Sequence, residues 1–165
     1  MTKPEFLQSK IYNKEQLARA IAIWRFKDNK IVFTNGCFDI LHKGHVTYLA
    51  QAADLGDILI VGLNSDASVK KLHKGVNRPI QDQDSRALIL ASLHYVSAVI
   101  MFDEDTPAEL IKLVQPDVLV KGGDWKPEEI AGYDTVKARG GEVVVIDYLP
   151  GFSTTTIEQK IKSNG

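Results

Sequence analysis

The sequence predicts a three-layer α/β fold in which helices cover both faces of a five-stranded, mostly parallel sheet. Five short apolar runs rich in β-branched residues alternate along the chain with longer segments of helical spacing. Side-chain alternation of period two is weak within these runs, which indicates strands buried on both faces. The chain has 165 residues, 44% of them hydrophobic, and this length can bury a core without disulfide or metal cross-links. We therefore expect right-handed strand–helix crossovers within one domain.

Each predicted strand is an apolar run that ends at a turn signal. The strands are KIVFTN at 30–35, DILIVGLN at 57–64, AVIMF at 98–102, DVLVK at 117–121 and EVVVID at 142–147. The predicted helices lie at 14–27, 44–55, 65–71, 84–94, 107–114 and 154–162. The segment 44–55 illustrates the spacing that predicts a helix. Val46, Leu49 and Ala53 recur on one face, and Gln51 and Asp54 are left for solvent.

Charge and cysteine content exclude several classes of partner. Twenty Lys and Arg oppose twenty-one Asp and Glu, for a net charge of −1, so no basic field is expected to hold nucleic acid or an anionic membrane. The single cysteine, Cys37, cannot form an internal disulfide. The first residues do not read as a signal peptide, and no run approaches the ~20 apolar residues of a membrane span. A cytoplasmic location is the prediction.

The segment after the first strand carries most of the chemical information. Gly36 permits close approach by an anion, and the helix predicted to start at Gly44 presents unsatisfied N–H groups and the positive end of its dipole. His42 and His45 stand three apart at that helix start, where both imidazoles could donate to phosphate oxygens. A surface pair or half of a zinc site are the alternatives. No third ligand and no HExxH helix supports zinc, so no metal ligands are predicted.

The motif TNGCFDILHKGH resembles the signature of the HxGH nucleotidyltransferases. NRPIQDQDSR, LVKGGDWKPEEIAG and GFSTTTIEQKI are similar to the adenylyltransferase domain of bacterial ADP-heptose synthases, and the similarity runs from about Lys30 to Ile161. The resemblance implies a Rossmann-like nucleotidyltransferase fold, with residues 1–28 as an N-terminal helical lead and 29–165 as the catalytic core of one domain. It also implies transfer of AMP from ATP to D-glycero-β-D-manno-heptose 1-phosphate, with release of pyrophosphate, for lipopolysaccharide core synthesis.

The resemblance further implies roles for individual residues. The residues expected to take part in catalysis, around the phosphates, are His42, His45, Lys74 and Arg86. The residues expected to bind the nucleotide are Asn35, Gly36, Cys37, Phe38, Gly44, Lys121, Gly123, Ser153, Thr154 and Thr155. The residues expected to bind the sugar phosphate are Asp39, Arg78, Asp124 and Trp125.

For several of these side chains a purely structural role is the alternative to substrate binding. Lys74, Arg78 and Arg86 could be solvated, Trp125 could be half-buried at a tight turn, and Ser153 could simply cap a helix. The chain also departs from the family pattern, because the stretch 149–152 lacks the arginine that other members carry there. Arg86 and Lys74 are then expected to supply more of the charge neutralisation.

The cofactor, the acceptor and the oligomeric state are predicted less directly. Mg²⁺ is expected to accompany ATP, bridging phosphate oxygens with few protein ligands. Residue spacing leaves ATP or CTP open, and leaves open another acceptor such as a different sugar 1-phosphate, glycerol phosphate or flavin mononucleotide. A nucleotide-binding domain without turnover and a flavodoxin-like electron carrier are alternatives of another class. Related enzymes form dimers or larger assemblies, and a homodimer is possible here.

Overall fold

The computed structural model describes residues 1–72 and 77–164, and its centre is a six-stranded parallel sheet. The strands are β1 (Ile11–Tyr12), β2 (Ile31–Gly36), β3 (Ile58–Asn64), β4 (Ala98–Phe102), β5 (Val118–Gly122) and β6 (Glu142–Ile146). Their order across the sheet is β1-β4-β3-β2-β5-β6, and every neighbouring pair is parallel. The predicted α/β class is confirmed, and the strand number is corrected from five to six.

Helices follow the strands as the alternating pattern predicts. The helices are α1 (Lys3–Gln8), α2 (Lys14–Phe26), α3 (Lys43–Ala53), α4 (Asp66–Lys71), α5 (Gln83–Ser92), α6 (Ala108–Val114), α7 (Tyr133–Ala138) and α8 (Thr154–Ser163), with a short 3₁₀ helix at Pro127–Glu129. The six helices predicted from spacing are all present with small shifts at their ends. The helices α1 and α7 and the 3₁₀ turn are additions, because segments this short show little periodicity.

Two hydrophobic clusters, one on each face of the sheet, join the three layers. Alternate residues of one strand enter different clusters: Val32 packs with α3 and α5, whereas Ile31 and Phe33 pack with α2, α6 and α7. The strands are thus covered on both faces, which explains why their sequences lack a polar face.

The strand that the sequence did not predict lies in the N-terminal segment. β1 has two residues, and Ile11 and Tyr12 pair with Val99 and Ile100 of β4. Lys10, just before it, is buried and donates from Nζ to the carbonyl oxygens of Ala91 (2.8 Å) and Leu93 (3.0 Å). The segment predicted as a helical lead therefore also supplies an edge strand of the sheet.

Candidate active site

A cleft of about 820 Å³ opens at the carboxyl ends of the central strands. This is the edge of a parallel sheet where ligands usually bind. Predicted site residues that line it are Asn35, Gly36, Cys37, Phe38, Asp39, His42, Gly44, His45, Arg78, Lys121, Ser153, Thr154 and Thr155. Residues that line it without having been predicted are Tyr48, Val69, Gly122, Tyr148, Leu149, Pro150, Gly151, Phe152 and Thr156.

The turn after β2 forms one wall of the cleft. Phe38 adopts a left-handed backbone conformation with φ of 46°, and its ring folds back over Gly36. A Cβ at Gly36 would lie 2.9 Å from Cε2 of Phe38, so a larger residue there would have to displace the Phe38 ring. The next residue, Asp39, is buried and accepts hydrogen bonds from the backbone N–H groups of Ile80 and Gln81 at 2.9–3.0 Å. Asp39 thereby fixes the segment after Arg78 against this turn.

His42 and His45 stack on each other at the start of α3. Their ring centroids are 3.8 Å apart with an angle of 22° between the planes, and the edge of the Phe38 ring contacts His45. His42 is the N-cap of α3, and its Nδ1 accepts a 3.4 Å hydrogen bond from the backbone N–H of His45. A Cβ at Gly44 would lie 2.9 Å from Cε1 of His42, which accounts for the glycine between the histidines.

Burial keeps the His42 imidazole neutral over a wider range of pH. Removal from water lowers the pKa of His42 from its usual value. Because Nδ1 accepts a hydrogen bond, the proton of the neutral ring is assigned to Nε2. His42 can therefore donate a hydrogen bond from Nε2 to an anion without carrying a charge beforehand.

The first turn of α8 forms the opposite wall. Ser153 is its N-cap, with Oγ accepting from the backbone N–H of Thr156 at 3.0 Å and lying 2.8 Å from Thr156 Oγ1. Capping thus uses Ser153 and Thr156, while Thr154 and Thr155 also line the cleft. Hydroxyl groups and the positive end of a helix dipole together suit phosphate oxygens.

An apolar segment before α8 completes that wall. The Tyr148 ring lies against the backbone at the end of β5, at Gly122 and Gly123. A Cβ at Gly122 would come within 2.9 Å of Tyr148 Cε1, and one at Gly123 within 2.7 Å of Cε2. Phe152 packs near Gly44 and receives the ammonium group of Lys43 5.2 Å from its ring centroid. In the sequence, this segment stood out only because 149–152 lacks the arginine that other family members carry there. That observation did not predict that the segment lines the cleft.

Tyr48 ties the histidine helix to the sheet beneath the cleft. Its hydroxyl group lies 2.5 Å from Thr34 Oγ1 and donates to the carbonyl oxygen of Val120 at 3.3 Å. Burial raises the pKa of Tyr48 well above its usual value. This buried tyrosine connects α3, the helix that begins at the histidines, to β2 and β5.

The family is decided by the match of the whole site-bearing region. The family model described as cytidylyltransferase-like matches residues 33–163, from within β2 to the end of α8. The chain belongs to the cytidylyltransferase-like family. The predicted resemblance to HxGH nucleotidyltransferases is confirmed, and membership identifies the chain as a nucleotidyltransferase.

Curated relatives of this nucleotidyltransferase are much longer than the chain itself. The bifunctional protein HldE of Trichlorobacter lovleyi is 52% identical over 153 residues, or 93% of this chain and 31% of the relative. The bifunctional protein HldE of Pectobacterium carotovorum is 53% identical over 154 residues, with 93% and 32% covered. The chain thus spans about a third of the length of these relatives.

Solved structures agree on the fold of this nucleotidyltransferase. The lipopolysaccharide core biosynthesis protein from Thermoplasma volcanium superposes with a TM-score of 0.61 at 28% identity, covering 73% of this chain and 97% of that one. Pantoate–β-alanine ligase from Francisella tularensis gives a TM-score of 0.57 at 17% identity, covering 92% and 76%. The second likeness shows the fold alone.

Arg86 is the predicted site residue whose surroundings differ most from expectation in this nucleotidyltransferase. Its side chain is fully buried, and Nη1 donates to the carbonyl oxygens of Cys37 (2.6 Å) and Asn64 (2.8 Å). Nε donates to the Gln81 carbonyl at 3.0 Å, and Nη2 pairs with Asp66 at 2.7 Å. Arg86 does not line the cleft, and a direct contact with substrate phosphate would require these bonds to break.

The remaining predicted residues lie beside the cleft or outside the described residues. Gly123 has a φ of 107° and follows Gly122, which lines the cleft. Asp124 and Trp125 come next and are exposed, and the Lys121 ammonium group lies 5.4 Å from the Trp125 ring centroid. Lys74 lies outside the described residues.

Residues 1–72 and 77–164 contain no group of three or more His, Cys, Asp or Glu side chains placed to hold a metal ion. Across the same residues, no helix has both the length and the apolar character that a membrane crossing requires.

Proposed function

We propose that this chain transfers AMP from ATP to D-glycero-β-D-manno-heptose 1-phosphate, giving ADP-heptose and pyrophosphate for lipopolysaccharide core synthesis. The observation that carries the reaction type is the stacked pair His42 and His45, which faces the hydroxyl-rich start of α8 across one cleft. The segments that resemble ADP-heptose synthases, and the identity of about half to bifunctional proteins HldE, support the acceptor. We place the reaction in the cytoplasm, where ATP is supplied.

The chemistry needs no covalent enzyme intermediate and no general base. The phosphate of the acceptor is largely dianionic near pH 7, because its second pKa is about 6. One of its oxygens attacks the α-phosphorus of ATP, a P–O bond forms there, and the bond to the β-phosphate breaks to release pyrophosphate. The protein must hold two anions in line and stabilise the charge that develops on the departing group.

We assign the groups that line the cleft to different parts of the two substrates. We assign His42 and His45 to the triphosphate, with Nε2 of His42 as a donor, and the backbone of Gly36, Cys37 and Phe38 to the phosphates near the α-phosphorus. The hydroxyl groups of Thr154 and Thr155 suit the outer phosphates. We assign Lys121, near the end of β5, and Asp124 and Trp125, which follow that strand, to a sugar or ribose.

Magnesium enters this proposal as part of the nucleotide substrate. Mg²⁺ commonly bridges phosphate oxygens of ATP and keeps several water ligands. Among the described residues that line the cleft, Asp39 is the one carboxylate, and its oxygens already accept from Ile80, Gln81 and Arg78. The donor set therefore fits an ion carried by ATP better than an ion caged by protein carboxylates.

The proposal is tested by pyrophosphate release from ATP or CTP with Mg²⁺ against a panel of acceptors. The panel contains heptose 1-phosphate, other sugar 1-phosphates, glycerol phosphate and flavin mononucleotide. Release confined to ATP with heptose 1-phosphate is expected, and His45→Ala should lower kcat by at least roughly a hundredfold. His94→Ala is the matched control, because His94 is exposed and lies outside the cleft.

Other outcomes separate the mechanism from the substrate. Release with a different acceptor would retain the mechanism and overturn the heptose assignment. Normal turnover in folded His45→Ala would overturn the role of the histidine pair. Binding of ATP without release across the panel would favour a nucleotide-binding domain that lacks turnover.

A further inference from the structure

The guanidinium group of Arg78 is shared by carboxylates from opposite walls of the cleft. Nη1 lies 3.2 Å from Oδ2 of Asp39, and Nη2 lies 2.7 Å from Oε2 of Glu158. Asp39 belongs to the turn after β2, and Glu158 lies on α8. Arg78 lines the cleft with a side chain that is 11% exposed, so this three-residue bridge joins the two walls at the edge of the site.

The two carboxylates are held to different extents. Asp39 is 4% exposed and keeps its backbone partners, Ile80 and Gln81, whether or not Arg78 is present. Glu158 is 27% exposed, and its ion pair with Arg78 is the one recorded for it across residues 1–72 and 77–164. Glu158 is thus the more exposed of the two carboxylates, and Asp39 holds the same guanidinium group independently of it. Glu158 is therefore the partner that can exchange.

The net charge of the three-residue bridge is unfavourable for binding an anion in the cleft. Two carboxylates and one guanidinium leave one net negative charge beside a site built for anions. A planar guanidinium binds a phosphate in the same two-bond geometry as a carboxylate. Glu158 contacts Nη2 of Arg78 through a single oxygen, and that nitrogen is one that an acceptor phosphate would use.

We propose that Glu158 is an exchangeable occupant of Arg78 and that the acceptor's phosphate must displace it to bind. This inference rests on the proposed function, since it takes the ligand of Arg78 to be the phosphate monoester of the acceptor. Asp39 keeps the guanidinium in place during the exchange. Displacement also releases α8 from the turn after β2, and acceptor binding is thereby coupled to the wall that faces the triphosphate.

The direction of the effect distinguishes an occupant from a positioning group. If Glu158 competes with phosphate, Glu158→Gln removes the competing charge and tightens binding of a phosphate monoester by roughly fivefold. If Glu158 instead orients Arg78 for phosphate, the same change weakens binding. The test is calorimetric titration of heptose 1-phosphate and of inorganic phosphate into the full chain without nucleotide, with pyrophosphate as a second arm.

Two control variants and one kinetic measurement accompany the titration. Glu109→Gln removes an exposed glutamate that pairs with Lys112 on α6, and it should leave phosphate affinity unchanged. In an Arg78→Gln background, checked for folding by circular dichroism, the gain from Glu158→Gln should disappear. The KM for the acceptor should fall in Glu158→Gln, whereas the KM for ATP should stay within twofold.

Each remaining outcome decides the proposal. Unchanged or weaker phosphate binding in Glu158→Gln overturns it, and so does absence of phosphate binding in both proteins. A gain confined to pyrophosphate overturns the assignment to the acceptor. Tighter binding of inorganic phosphate supports it even if heptose 1-phosphate gives no turnover, so a wrong acceptor and a wrong role for Glu158 remain distinguishable.

Discussion

At the scale of single residues, Arg86 is a predicted site residue whose guanidinium group is bonded to other parts of the protein. Its guanidinium group joins the turn after β2, the end of β3 and the segment before α5 through Cys37, Asn64 and Gln81. A sequence cannot distinguish this arginine from one that faces phosphate, because both follow a polar loop and begin a helix. Burial and the direction of its donors supply the difference.

Replacing Arg86 by methionine should lower the free energy of unfolding by about 3 kcal/mol, because buried carbonyl oxygens and Asp66 lose their donors. Urea unfolding measures the loss. Arg19→Met is the control: Arg19 forms an exposed pair with Glu15, and less than about 1 kcal/mol is expected. Unchanged stability with lost phosphate affinity would instead assign Arg86 to the substrate.

The depressed pKa of His42 predicts a dependence of stability on pH. An unfolded histidine has a pKa of about 6.5, and burial lowers it in the folded chain. Below pH 6.5 the unfolded chain binds a proton that the folded chain does not, so the free energy of unfolding falls until the folded pKa is passed. His42→Asn keeps a capping acceptor and removes this titration.

The pH effect is measured as the difference in the free energy of unfolding between pH 7.5 and 5.5. That difference should be smaller in His42→Asn than in the unaltered chain. His94→Asn changes an exposed histidine and serves as the control. Equal losses in both variants would show that His42 does not carry the effect.

At the scale of elements, long strands and helices were predictable, whereas short ones were not. β2 to β6 each carry an apolar run, and cover on both faces makes that run continuous, fully buried in most of β2 to β5 and partly buried in the edge strand β6. β1 has only two residues and takes its place through pairing with β4 and through Lys10, neither of which leaves a local pattern. The apolar wall at 148–152 was missed for a similar reason, since the Tyr148 ring packs against Gly122 and Gly123, which are distant in sequence.

Lys10 provides a test of how the N-terminal elements are attached. Its ammonium group satisfies two carbonyl oxygens at the end of α5, and Lys10→Met should lower the free energy of unfolding by about 2 kcal/mol. Chemical denaturation measures this change, with exposed Lys3→Met as the control. Amide exchange should quicken in β1 and not in β2, and uniform quickening would contradict a local attachment.

At the scale of the whole molecule, the strand order places β2 and β5 side by side in the sheet. Their carboxyl ends meet the segment before α8 around one cleft, which is why residues far apart in sequence line it together. The net charge of −1 means that anion binding depends on local donors and helix ends, not on an overall field.

Pyrophosphate should therefore stabilise the folded chain by mass action. At a hundred times its Kd the gain is about 2.7 kcal/mol, which corresponds to a rise in Tm of roughly 5 to 10 °C for a chain of this size. Scanning calorimetry with and without pyrophosphate measures the shift. An equal rise with sulfate at matched ionic strength would indicate a general salt effect.

The two-residue strand β1 has a further consequence for how copies of this chain behave together. It pairs along β4, whose opposite side is already paired with β3. Without β1, the backbone N–H and C=O groups along that side of β4 would be open to a strand from another copy. By pairing with Val99 and Ile100, Ile11 and Tyr12 cover part of that side of β4, and we expect this to lower the tendency of copies to pair edge to edge.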